Sequence, residues 1–200
     1  HQIGILANAQ GVLFSEEAQK ATQFIQLANS ADTPLLFLHN TTGFMVGKEY
    51  EQGGIIRHGA QMINAVANSS VPHLSVIMGA SYGAGNYAMC GRAYDPRFLF
   101  MWPQSQISVM GAEQAANVLS EVKIRQLQRS GQGLSAEQIA AIRDPVLADY
   151  NRESSAYYST SELWDDGILD PPDTRNALGI ALSASLCAPS AEPGYGVFRL

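Results

Sequence analysis

Charge is scarce in this chain. Asp, Glu, Lys and Arg make up 15% of its 200 residues, and the net charge is −6. A deficit of basic residues argues against a nucleic-acid surface and against a basic patch for anionic membranes. No apolar run reaches the length needed to span a bilayer, so no transmembrane helix is expected. The two cysteines, Cys90 and Cys187, have neither metal-ligand spacing nor the density of a disulfide framework, and both read as plain buried thiols. No metal-ligating constellation occurs. There is no initiator Met and no signal segment. The opening run His1-Gln2-Ile3-Gly4-Ile5-Leu6-Ala7 reads as the interior of a longer protein. No internal repeat and no low-complexity segment is present.

Hydrophobic residues make up 46% of the chain, enough for one domain with a full core. Strands are predicted over residues 2–7, Leu35–Leu38 and His73–Met78. Helices are predicted from Ser15, read as an N-cap, through Ala28, and over Ile55–Ala67. A turn at Ala9-Gln10-Gly11 and a glycine-rich loop from Asn40 to Gly54 connect them. Short apolar strands alternating with amphipathic helices imply a parallel sheet covered by helices. Further strands are expected at Phe98–Trp102 and Gln106–Met110, and a helix from Gly111 towards Leu127, broken by Gly131 and Gly133. A capping box at Ser135 starts another helix, which Pro145 is expected to kink or interrupt. The stretch from Val146 to Trp164 reads mostly as helix. Asp170-Pro171 signals the start of a last helix through Leu186, ended by Pro189. The tail from Tyr195 to Leu200 is long enough only for docking.

The stretch Pro72–Met89 has the strongest site-building pattern. An apolar strand runs into Gly79-Ala80-Ser81-Tyr82-Gly83-Ala84-Gly85, read as a small-residue turn, and then into a helix that becomes apolar at Tyr87. Helix N-termini offer unpaired N–H groups, and small residues let a negative oxygen approach them. The glycine spacing does not give a dinucleotide fingerprint. The stretch Gly79–Gly83 does fit the nucleophile-elbow pattern GxSxG. That fold places its His after the Ser, yet His1, His39, His58 and His73 all precede Ser81. Two readings stay open: an oxyanion hole without a protein nucleophile, and a glycine turn that only lets a helix pack on a sheet.

The loop carrying Thr42-Gly43-Phe44 is expected at the same end of the sheet, offering a second set of amides. Candidate acids and bases nearby are few: Glu49, Glu51, His58 and Glu113. The histidines read more readily as hydrogen-bonded structural residues, and Lys48, Arg57 and Arg92 as scattered surface cations. Such a site suits a reaction whose substrate or cofactor brings its own base.

Longer blocks carry a resemblance. They include Thr42-Gly43-Phe44-Met45-Val46-Gly47, Gly53-Gly54-Ile55-Ile56-Arg57-His58-Gly59-Ala60, Ser81–Tyr87, Cys90-Gly91-Arg92-Ala93-Tyr94, Met101-Trp102-Pro103 and Ile107–Gly111. The sequence resembles the carboxyltransferase (β) subunits of biotin-dependent acyl-CoA carboxylases, over essentially its whole length and most closely the 3-methylcrotonyl type. The resemblance implies a crotonase-like α/β fold, a ββα superhelix with a twisted sheet flanked by helices. Residues 1–200 would be the C-terminal carboxyltransferase domain, without the N-terminal domain that holds most acyl-CoA contacts. By the same resemblance, the backbone amides of Ala84 and Gly85 would form the oxyanion hole for the biotin enolate. Thr42, Gly43 and Phe44, with Tyr82 and Gly83, would line the biotin site.

The implied reaction moves a carboxyl group from carboxybiotin to 3-methylcrotonyl-CoA, a step of leucine breakdown. The cofactor, biotin, would ride on a partner domain, because no attachment sequence occurs here. The implied partners are the acyl-CoA, a biotin carboxylase and carrier α subunit, and further β subunits in a hexameric core. The location would be the cytoplasm in a bacterium or the mitochondrial matrix in a eukaryote. A geranyl-CoA carboxylase and a non-catalytic assembly domain are the alternatives.

Overall fold

The computed structural model describes residues 1–8, 10–129, 135–188, 194 and 196–198. The main sheet runs in the order β1 (Gly4–Ala7), β3 (Leu35–Thr41), β5 (His73–Tyr82), β6 (Phe98–Met101), and β7 (Gln106–Ser108) pairs with the far end of β5. All of its pairings are parallel. Two short strands, β2 (Val12–Leu13) and β4 (Gly43–Phe44), form a second parallel ladder. The chain therefore repeats one unit: β1, β2 and helix α1 (Ser15–Ser30), then β3, β4, the short α2 (Lys48–Gln52) and α3 (Ile55–Ala67). Helix α4 (Gly83–Ala88) follows β5 directly.

Alternation along the strands sorts side chains to two faces. On β3, Leu35 and Phe37 enter a core with Ile25 of α1 and Met62 and Val66 of α3. Leu36 and Leu38 pack on the other face, with Leu74 and Val76 of β5 and Ala181 and Leu182 of α8 (Thr174–Ser185). Trp102 ties α8 to the sheet through its indole N–H, which donates to Thr174 Oγ1 at 2.9 Å. Helices α5 (Ala112–Arg129) and α6 (Ala136–Glu153) form a hairpin, joined where Arg143 meets Glu113 and Asn117. Helix α7 (Ala156–Ser161) follows, and buried Asp165 accepts from Ser159 Oγ and Thr160 Oγ1.

Several expectations need correction. The first strand begins at Gly4, not Gln2, and the first helix is capped at Phe14, whose N–H donates to Glu17 Oε2. β2, β4 and α2 occupy stretches read as connection or loop. Each is short, and β2 and β4 are strands only because they pair with each other. β3 runs on to Thr41 and β5 to Tyr82, so Gly79-Ala80-Ser81 is strand and not turn; helix follows at once from Gly83. The strand at Gln106 stops at Ser108. Pro145 sits inside α6 without ending it, because one absent N–H is tolerated where α5 packs alongside. Asp170 caps a 3-10 turn, Pro171–Asp173, ahead of α8. Cys187 is exposed past the end of α8, where its thiol donates to Ser183 O; only Cys90 is buried. Ala9, the Gly131–Gly133 break, Pro189 and Tyr195 lie outside the described residues. Of the tail, Gly196 rests on Asn64 of α3 and on Asn68, the residue that caps its end.

Among the described residues no helix is long and apolar enough to cross a membrane.

Phe37 is fully buried at the centre of the α1–α3 core. Phe37→Ala is expected to cost about 3–5 kcal/mol. Urea unfolding read by circular dichroism checks this, and a midpoint unchanged from wild type would contradict the packing described.

Candidate functional site

Helix α4 stands at the carboxyl end of the sheet because β5 hands the chain to it with no loop between. The left-handed backbone of Gly83, φ +50°, makes that handover, and a Cβ there would stand 2.8 Å from Val109 O. Gly85, two residues on, is buried against Thr41 and Gly43. A Cβ at Gly85 would lie 2.8 Å from Thr41 Cγ2 and 3.1 Å from Gly43 Cα. The Thr42–Phe44 segment and the first turn of α4 therefore touch backbone to backbone, as the sequence pattern suggested. Ala84 lies between them and is exposed.

Ala84 opens onto an apolar groove of about 310 Å³. Phe44, Met45 and Val46 form one wall, and Ile55, Ile56, Ala60 and Ile63 of α3 form the other. Gly59 lets the Phe44 ring lie flat on α3, since a Cβ at Gly59 would stand 3.2 Å from the ring. Glu51 is the one ionisable side chain of the lining.

The predicted residues separate into two groups. Phe44 and Ala84 line this groove, with Gly85 and Gly43 packed behind. Thr42 turns the other way: its N–H and its hydroxyl both donate to Gly11 O, at 2.6 and 2.8 Å. The Gly43 N–H donates to Thr41 Oγ1 and the Met45 N–H to Leu13 O. The amides of Thr42, Gly43 and Met45 are thus engaged within the protein. What the loop presents is the Phe44 ring. Tyr82 reaches towards β7, where its hydroxyl donates to Gln106 Oε1 at 2.5 Å, and burial raises its pKa. Gly83 shares that side, beneath Val109.

Of the other candidate acids and bases, Glu113 and His58 have structural partners. Glu113 pairs with Arg143. His58 Nε2 is 2.8 Å from Gln19 Nε2. His73 bridges Ser69 Oγ at 2.6 Å and Cys90 Sγ at 3.2 Å. Burial, with Arg97 nearby, lowers the His73 pKa to about 4, while burial pushes the Cys90 thiol up to about 12. Neither is a nucleophile or a base near neutrality.

One contact was not foreseen. The ring of His39 on β3 reaches Ser81 of β5, past a shift in the strand register, with Nδ1 2.9 Å from Ser81 Oγ, and Asn86 Nδ2 donates to the same oxygen at 2.9 Å. The sequence order had set His and Ser apart, but parallel pairing brings them together. Both are fully buried, and burial lowers the His39 pKa to about 3. A serine sealed within a strand has no access to an ester, and the nucleophile elbow is excluded.

The carboxyl transferase domain family matches residues 1–193. The chain belongs to that family. It is 58% identical over 201 residues to the probable biotin-dependent acyl-coenzyme A carboxylase beta2 subunit of Mycobacterium tuberculosis, covering all of this chain and 38% of the relative. It is 56% identical over 200 residues to the biotin-dependent 3-methylcrotonyl-coenzyme A carboxylase beta1 subunit of the same organism, again all of this chain and 38% of the relative. The crystal structure of the P. aeruginosa geranyl-CoA carboxylase beta subunit superposes with a TM-score of 0.83 at 44% identity, over 99% of this chain and 37% of that one. This carboxyl transferase chain thus spans well under half the length of the relatives it matches. Its crotonase-like α/β architecture is the one the resemblance implied.

Two measurements follow from the carboxyl transferase geometry. Ser81 is expected to resist labelling by a fluorophosphonate in the native state, as read by intact-mass spectrometry; labelling would reopen the hydrolase reading. The second concerns pH. His39 and His73 have folded pKa values below their unfolded value, so the unfolded chain takes up protons first as pH falls. Their stabilisation is complete above about pH 6.5 and is lost on acidification towards pH 4 and 3, by at most about 1.4 kcal/mol per pH unit for each histidine. Urea unfolding between about pH 7.5 and 5 should show that decline, and His73→Gln should flatten it.

Proposed function

We propose that this domain is the carboxybiotin-facing part of the carboxyltransferase of a biotin-dependent acyl-CoA carboxylase acting on 3-methylcrotonyl-CoA. The observation that carries the reading is Ala84, in the first turn of α4, lining an apolar groove with no cation in its lining. Such a groove fits an uncharged bicyclic ring with a polar edge. It does not fit the phosphate end of a coenzyme, which calls for Arg or Lys. The likeness to a 3-methylcrotonyl-coenzyme A carboxylase subunit supports the choice of acyl group.

In this reading Ala84 and Gly85 direct backbone N–H groups at an oxygen that becomes negative during the reaction. Phe44 and Ile55 line the groove, and a ring bound there would exclude water, which strengthens those hydrogen bonds. Biotin, when bound, supplies the carboxyl group and the base that the lining does not provide. Thr42 and Gly43 hold Phe44 in place through their internal hydrogen bonds, and Tyr82 and Gly83 fix the start of α4 from the β7 side. The acyl-CoA would be held mainly by an N-terminal domain of the same kind of subunit, making this the C-terminal domain. A biotin carboxylase and carrier subunit would deliver the cofactor, and several β subunits, in a hexamer, would complete the active sites. The setting would be the cytoplasm in a bacterium and the mitochondrial matrix in a eukaryote.

The test uses the full-length subunit with its biotin-bearing partner and measures ATP-dependent bicarbonate fixation. Fixation into 3-methylcrotonyl-CoA is expected. Ala84→Pro should abolish it while the far-ultraviolet dichroism stays unchanged, because proline has no N–H to donate. Fixation into geranyl-CoA alone would keep the chemistry and change the substrate. No fixation into any acyl-CoA would leave an assembly domain.

A further inference from the structure

Helix α4 has six residues, so few intrahelical hydrogen bonds hold it, and its direction is set by what it is tied to. Asn86 ties it twice. Its carbonyl accepts from the Gly91 N–H at 2.8 Å, which fixes the exit of the helix. Its side-chain amide reaches back under the first turn to donate to Ser81 Oγ at 2.9 Å. Ser81 in turn lies 2.9 Å from His39 Nδ1, so one buried chain of polar groups links α4 to β5 and β3. Ser81, accepting from Asn86, has its own hydroxyl hydrogen to give to an unprotonated His39 Nδ1. That polarity requires a neutral imidazole at position 39. The depressed His39 pKa, caused by burial, agrees with it.

Nothing in the reaction proposed above uses these three side chains, yet they lie directly behind Ala84 and Gly85. We infer that Asn86 is a positioning residue, which acts through Ser81 and His39 to hold the Ala84 and Gly85 amides on the groove. The inference rests on the carboxyltransferase reading. A displaced donor loses the transition state more than the bound substrate, so the expected signature is a fall in kcat with KM for the acyl-CoA unchanged.

The experiment compares wild type, Asn86→Ala and Ser81→Ala in the full-length subunit with its biotin-bearing partner. Ser81→Ala breaks the same link from behind without altering α4, and it carries the test if Asn86→Ala does not fold. Each variant is expected to lower kcat by about tenfold or more, with KM for the acyl-CoA within about twofold. Hydrogen exchange followed by mass spectrometry should be about tenfold faster in peptides covering residues 82–89, with residues 35–41 and 55–67 unchanged. Wild-type kcat in both variants, or a lower kcat with exchange at 82–89 unchanged, would overturn the inference. If the wild-type subunit fixes no bicarbonate, the carboxyltransferase reading fails on its own. The exchange arm then decides whether Asn86 positions α4, and unchanged exchange overturns it.

Discussion

The absence of a side chain at Gly85 is the constraint on which the site depends. A methyl group there would stand inside contact distance of Thr41 Cγ2 and Gly43 Cα. Any such group would push α4 away from the β3–β4 corner, and with it the Ala84 amide. The same economy of side chains recurs on the facing wall, where Gly59 admits the Phe44 ring. The groove is thus the space left when two pieces of backbone approach as closely as glycine permits. Its walls are apolar because the helices behind it, α1 and α3, meet the sheet through Ile25, Met62, Val66 and Phe37.

Chemical quietness is the second property of the site. The buried titratable groups near the sheet, His39, His73 and Cys90, are all shifted towards their neutral forms by loss of water. Each is also tied to a neighbour: His39 to Ser81, and His73 to both Ser69 and Cys90. A buried charge without a partner would cost several kcal/mol, so neutrality is the condition for placing such groups inside. In the proposed reading the protein offers hydrogen-bond donors and leaves bond-making to what it binds.

Much of this was legible in the sequence. The apolar runs at Leu35 and His73 and the amphipathic stretch at Ile55 are long and strongly periodic, and they fold as read. The errors fall where a neighbour decides the local structure. Gly79-Ala80-Ser81 has turn composition, yet β3 continues to Thr41 and pairs with Ser81, so the strand extends. Val12-Leu13 and Gly43-Phe44 are strands only by virtue of each other. Within the site, Ala84, Gly85 and Phe44 could be named from the glycine pattern and the resemblance. The engagement of the Thr42 amide could not, because it depends on Gly11, far away in the chain. The His39–Ser81–Asn86 link was hidden for the same reason: chain order says little about which residues parallel strands set side by side.

The all-parallel main sheet also determines how this protein must come together in time. No two of its neighbouring strands are joined by a hairpin: Gly4 pairs with Leu35, Leu35 with His73, and Leu74 with Phe98. Each pairing has to close a long stretch of chain before it gains a single ladder bond. The helices can form early and locally, but the corner that holds Gly85 against Gly43 exists only once the sheet is nearly complete. Folding is therefore expected to be slow for a chain of this size, with the groove assembled last and its apolar walls uncovered until then.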